Sequence, residues 1–177
     1  MRLFYAILLS EEVLDALTDA QERLRAETVG GRLSRRENLH LTLSFLGETD
    51  RLDAAKRAGE GLRSRPFSLS LRGAGSFRSG DSELFWAGAE LSEPLRALQK
   101  ELAGRLRAEG VVLDEKPFRP HLTLMRQAIP APSFDRKAFA ASIPQLSMRV
   151  ENVSLMCSER VKGVLTYTEL FRGRLRP

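Results

Sequence analysis

Two hydrophobic periods alternate along the chain. Leu3 to Leu9 is an apolar run rich in strand formers. Ser10-Glu11-Glu12 follows, with Ser10 placed to cap a helix and the two acids suited to the positive end of its dipole. Val13, Leu14, Leu17 and Leu24 then recur at helical spacing, and the stripe fades near Gly30-Gly31. From Leu39 to Leu46 the period drops to two. Leu39, Leu41, Leu43 and Phe45 alternate with His40, Thr42 and Ser44, which predicts a half-buried strand ended by Gly47. That count places His40 and Thr42 on the polar face and Phe45 in the core. Asp50 to Leu62 reads as a second helix, and Phe67, Leu69 and Leu71 as a strand before a turn at Gly73-Ala74-Gly75.

The second half repeats this order. Leu84-Phe85-Trp86-Ala87 resembles Leu3-Phe4-Tyr5-Ala6, Glu93-Pro94 opens a helix, and Leu95 and Leu98 answer Leu14 and Leu17. His40-Leu41-Thr42-Leu43 recurs as His121-Leu122-Thr123-Leu124, an offset of 121 − 40 = 81 residues shared by strand, helix and tetrapeptide. A helical turn around Phe134 to Ala141 and strands near Met148 to Met156 and Leu165 to Phe171 complete the chain. The pattern predicts an α+β fold and an internal duplication. Residues 1–177 would form a single bilobal domain, with units of about 1–80 and 81–160 and lobes free to exchange elements. A pseudo-twofold axis between the lobes would set the two motif strands side by side, with His40 and His121 facing each other across a cleft.

Composition narrows the setting. Hydrophobic residues are 42% of the chain and charged residues 29%, an ordinary globular balance. The net charge is +5, and only five of the 28 basic residues are lysine. The arginine fork suits phosphate. A single cysteine, Cys157, excludes an internal disulfide and any multi-cysteine metal site, and reads as an inert core residue. The apolar N-terminal run is short and meets Glu11-Glu12 with no small-residue cleavage pattern, so no signal peptide is expected. No stretch approaches the roughly 20 apolar residues of a membrane span. A cytoplasmic monomer that makes no membrane contact is the expectation.

The chain has two histidines, and both stand in the repeated tetrapeptide. Histidine moves protons near neutral pH, and a pair supplies both a base and an acid. Two histidines and two threonines with no carboxylate make a poor metal site, and the sequence has no nucleophile elbow and no Cys-His pairing that it can place. Acid-base cleavage of a phosphodiester without cofactor or metal fits these residue types, with threonine hydroxyls donating to non-bridging oxygens. Arg126 falls on the face opposite His121 and Thr123 unless the strand's alternation breaks. Tyr5 and Trp86 occupy matching repeat positions, where either stacks on a base or packs in the core. Arg32, Arg35 and Arg36 form a basic cluster that steers a polyanion or simply faces solvent.

These residues resemble the two-histidine phosphoesterases, and within them the RNA 2′,3′-cyclic phosphodiesterases also called 2′-5′ RNA ligases (LigT-like). The HxTx signature occurs in Asn38-Leu39-His40-Leu41-Thr42-Leu43-Ser44-Phe45-Leu46-Gly47-Glu48 and again in Phe118-Arg119-Pro120-His121-Leu122-Thr123-Leu124-Met125-Arg126. Met1-Arg2-Leu3-Phe4, Gly73-Ala74-Gly75-Ser76-Phe77 and Gly163-Val164-Leu165-Thr166-Tyr167 are also similar to that family. The resemblance implies a bilobal fold, with antiparallel sheets lining a central cleft and helices outside. It implies metal-free hydrolysis of RNA or nucleotide 2′,3′-cyclic phosphates to 2′-phosphates, with reversible 2′-5′ ligation in relatives. It makes His40 the proton donor, His121 the acceptor, Thr42 and Thr123 the phosphate ligands, and Arg126 a substrate contact. A non-catalytic RNA- or nucleotide-binding module stays open beside it. So does a phosphoesterase acting on another cyclic phosphate or a 2′-5′ oligonucleotide, because the motifs address only the phosphate.

Overall fold

A computed structural model of the chain describes residues 1–176. The opening apolar run becomes β1 (Arg2–Leu8), and Ser10 caps α1 (Glu11–Ala26) by accepting from the Val13 N–H. Next come β2 (Thr28–Leu33), a 3₁₀ turn over Arg36–Asn38 and the first motif strand β3 (His40–Glu48). The helix α2 (Leu52–Glu60) leads to β4 (Phe67–Ser79) and β5 (Ser82–Ala89). The second long helix, α3 (Glu93–Ala108), is capped by Ser92 with proline in its first turn. The second motif strand β6 (His121–Pro130), α4 (Arg136–Ser142), β7 (Ser147–Val150), β8 (Asn152–Val161) and β9 (Val164–Arg174) finish the chain.

Every strand pairing is antiparallel, in two sheets ordered β3-β1-β8-β9 and β2-β6-β5-β4-β7. The helices cross between the halves. α1 lies under β2 and β6, and α3 lies under β3 and packs on α2. Leu17 and Leu24 of α1, Leu98 and Leu102 of α3, and Leu41, Leu43, Leu122 and Leu124 of the motif strands join one buried cluster. The motif leucines therefore hold the histidine-bearing strands against the helices.

Several elements differ from the sequence pattern. β2 forms where the helical stripe fades, because Gly30 and Gly31 let the chain approach β6 closely; a side chain at Gly31 would meet the Ala128 backbone, and its φ of 130° favours glycine. The expected turn at Gly73-Ala74-Gly75 is a bulge within one long strand, with the register jumping between Leu71 and Ala74. The strand expected over Met148 to Met156 is two strands in different sheets, parted at Glu151. The strands β8 and β9 meet in a two-residue hairpin, with Lys162 (φ 50°) and Gly163 (φ 81°) both in the left-handed region.

The opening strands also match differently from the sequence count. Ala6 faces Thr42 and Leu8 faces His40, while Trp86 faces Thr123 and Gly88 faces His121. The ladders thus align β1 with β5 at 86 − 6 = 80 residues, one short of the motif offset. A slip of one residue exchanges the two faces of a strand. Tyr5 and Trp86 are consequently not equivalent. Tyr5 is fully buried, with its hydroxyl donating to the Ala55 carbonyl at 2.8 Å, and burial holds its phenol above the ordinary range. Tyr5 is a core residue and not a substrate contact.

Candidate active site

Each motif strand carries a bulge at the same place. Along β3, Thr42 faces Ala6 and Ser44 faces Tyr5, so Leu43 is the extra residue; along β6, Thr123 faces Trp86 and Met125 faces Phe85, so Leu124 is the extra one. Alternation restarts one step out of phase beyond the bulge. Phe45 and Arg126, assigned to the inner face by simple alternation, therefore turn to the side of the histidines. Phe45 is 44% exposed, with the Arg2 guanidinium 5.0 Å from its ring centroid, and is not core. Arg126 lines the cleft with His40, His121 and Thr123.

A glutamine from the helix of the other half steadies each bulge carbonyl. Gln21 of α1, 4% exposed, donates to Leu124 O at 2.9 Å and to Ser34 O at 2.7 Å. Gln99 of α3 reaches Leu43 O at 3.4 Å.

The cleft between the motif strands encloses about 470 Å³, and His40, Thr42, His121 and Thr123 all line it. The ring Nδ1 of His40 bonds to Asn38 O at 2.7 Å, and that of His121 to Arg119 O at 2.6 Å. A carbonyl only accepts, so Nδ1 carries the proton in both rings and Nε2 faces the reaction. The two sites then diverge. His40 Nε2 is 2.9 Å from Thr42 Oγ1, whereas His121 Nε2 has no hydrogen-bond partner among the described residues. Phe4 and Tyr167 pack on the His40 ring at centroid distances of 4.9 and 5.3 Å. Burial chiefly pushes the His40 imidazole below its ordinary value; the Asn38 carbonyl opposes this, and Arg126 and His121 reinforce it.

Asn38 also ties His40 to the β8–β9 hairpin, since its side-chain amide donates to Leu165 O at 3.0 Å. That hairpin brings Arg160, Leu165 and Tyr167 to the cleft. Sequence reasoning missed these three, although the alternation of Leu165 and Tyr167 on one face of β9 was a usable signal. Of the basic cluster, Arg32 and Arg35 line the cleft region, while Arg36 is bound to Glu11 and Asp15. Arg2, Arg32, Arg126 and Arg160 line the cleft alongside one acid, Glu159, so its field is positive. Trp86 stands behind His121, at a centroid distance of 6.3 Å, and leans on Phe77 at 5.5 Å. Its ring lies over Gly75, where any side chain would overlap it. Among the described residues no group of three His, Cys, Asp or Glu side chains is placed to hold a metal ion, and no helix is long and apolar enough to cross a membrane.

The sequence profile of the 2′-5′ RNA ligase superfamily matches residues 11–162, both motifs included. The chain belongs to that superfamily. Individual relatives extend the match over nearly the whole length. The RNA 2′,3′-cyclic phosphodiesterase of Thermus thermophilus is 38% identical over 99% of this chain and 91% of its own. The Escherichia coli enzyme of the same name is 32% identical over 98% and 96%. A Thermus thermophilus structure, TT0787, superposes with a TM-score of 0.81 at 34% identity, covering 99% of this chain and 98% of that one. Escherichia coli LigT complexed with 3′-AMP gives 0.76 at 26% identity, with the same two coverages.

Proposed function

We propose that the chain is an RNA 2′,3′-cyclic phosphodiesterase that opens the cyclic phosphate to a 2′-phosphate by acid-base catalysis between His40 and His121. The observation that carries this reading is the pair of Nε2 atoms, each set by an Nδ1–carbonyl bond, facing one arginine-lined cleft beside two threonines. The curated relatives named for this activity and the LigT complex with a nucleotide support it. His121 Nε2, unbonded, takes the proton of the attacking water. His40 gives its proton to the departing 3′ oxygen. Thr42, Thr123 and Arg126 hold the non-bridging oxygens and the charge that builds on them.

Burial, which holds the His40 imidazole below its ordinary value, by itself opposes a donor role. The bound phosphate offsets this, because an anion nearby favours the protonated imidazole. With a ribose hydroxyl in place of water, the same two proton transfers join the strands through a 2′-5′ linkage.

Turnover of 2′,3′-cyclic nucleotides and cyclic-phosphate-ended RNA in chelator tests the reading. His40→Ala and His121→Ala are each expected to cost on the order of 10²-fold or more. Binding without turnover would instead make the protein a nucleotide-binding module, and activity lost with the chelator would overturn the metal-free step.

A further inference from the structure

A second hollow of about 460 Å³ opens on the His121 side of the cleft. It adjoins the cleft, since Thr42, Phe45 and His121 line both. Its aromatic wall comes from Phe45 of β3, Phe77 of β4 and Phe118 of the segment leading into β6. Lys100, Arg107 and Arg119 supply positive charge. Of its acids, Asp114 is engaged by Lys116 at 3.0 Å, which leaves Glu115 against those three cations. The hollow on the opposite side, about 250 Å³, is lined by His40, Asn38, Leu165 and Tyr167. The cleft thus lies between two hollows, one on the His40 side and one on the His121 side.

Displacement at phosphorus puts the entering and leaving oxygens roughly in line. With the cyclic nucleotide on the His40 side and its 3′ oxygen toward that ring, the entering oxygen arrives from the His121 side. A water molecule does not need a hollow of this size with an aromatic wall and a cationic rim. Unpaired bases stack on aromatic faces, and Lys and Arg take their phosphates. We infer that the hollow formed by Phe45, Phe77 and Phe118 is a second nucleoside subsite, which holds the nucleoside whose 5′-hydroxyl enters in place of water. This deepens the proposed function and rests on its assignment of the two histidines. In the step, the 5′ oxygen bonds to phosphorus as the bond from phosphorus to the 3′ oxygen breaks. The hydroxyl proton passes to His121 and the His40 proton to the 3′ oxygen. The product is a 2′-linked diester with a free 3′-hydroxyl, and no other reactant is consumed.

The test uses UpA with a free 5′-hydroxyl as probe, and two variants, Phe118→Ala and Lys100→Ala/Arg107→Ala. Binding is read first from Trp86, the chain's single tryptophan, which leans on Phe77 of the subsite. Saturable binding that each variant weakens on the order of 10-fold is expected. Absent binding, or equal affinity in wild type and both variants, overturns the subsite. With a cyclic mononucleotide added, the variants should keep hydrolysis within about 2-fold of wild type while the share of product transferred to UpA falls on the order of 10-fold. An unchanged share overturns the subsite, whereas absent hydrolysis in wild type overturns the proposed function and leaves the binding titration to judge the subsite. Circular dichroism checks the fold of Phe118→Ala, and the double variant, on the exposed face of α3, provides the independent reading.

Discussion

Replacing Gln21 by leucine removes a buried amide at nearly constant volume and tests how the cleft is held. Two carbonyls lose a donor, with unequal consequences. Leu124 O keeps a second bond, from the Ser34 N–H at 2.9 Å, and so loses only the net value of one hydrogen bond, about 0.5–1.5 kcal/mol. Ser34 O accepts from Gln21 at 2.7 Å and is left unpaired, which costs about 1–3 kcal/mol. Together these give roughly 2–4 kcal/mol, or a fall in Tm of roughly 5–15 °C at about 2–4 °C per kcal/mol for a chain of this size. Gln99→Leu is the comparison. It loses a single 3.4 Å contact to Leu43 O and should cost less than about 1 kcal/mol. Scanning calorimetry of the two variants beside wild type decides. A Tm for Gln21→Leu within about 2 °C of wild type, or one above that of Gln99→Leu, would refute the role given to this amide. Because Leu124 is the bulge residue that turns Arg126 to the cleft, kcat/KM should fall with stability in Gln21→Leu.

Other outcomes follow from the same contacts. The His40 imidazole, followed by NMR, should titrate below its ordinary value of 6.5 in the free protein, and Arg126→Gln should move that midpoint up, since a lowering charge is removed; no movement would exclude Arg126 as its electrostatic neighbour. Asn38→Ala frees the hairpin at Leu165 and leaves the backbone bond to His40 in place. It should lower kcat/KM roughly 5- to 30-fold, in line with about 1–2 kcal/mol for a part-buried bond. Glu83, 8% exposed and gripped by Arg136 at 2.6 and 2.8 Å, has its carboxyl pushed down from 4.5 to about 2. Its contribution, on the order of 3 kcal/mol, is complete above pH 4.5 and lost as pH falls toward 2, so Glu83→Gln should flatten the acid limb of a pH-stability curve.

Much of the site was legible because its signal is local. A period of two around His40 and around His121, together with an identical tetrapeptide, sufficed to put both rings and both threonines on polar strand faces. Fold class followed from the alternation of the two periods. What escaped depends on pairing. The bulges at Leu43 and Leu124 exist only relative to the neighbouring strands β1 and β5, so single-strand counting sent Phe45 to the core and Arg126 to the wrong face. The slip of β1 against β5 likewise made Tyr5 look like a partner of Trp86. β2 was hidden because its glycines carry no hydrophobic period, only room for close approach. The hairpin residues Arg160, Leu165 and Tyr167 reach the cleft through a sheet order that joins the last strands to the first.

The proposed reaction opens the ring at its 3′ oxygen and requires both histidines. Hydrolysis of 2′,3′-cyclic AMP in chelator, followed by ³¹P NMR, reads it directly. A single 2′-phosphate product, formed on the order of 10²-fold or more slowly in His40→Ala and in His121→Ala, is predicted. A 3′-phosphate product, or wild-type turnover in either variant, would contradict it.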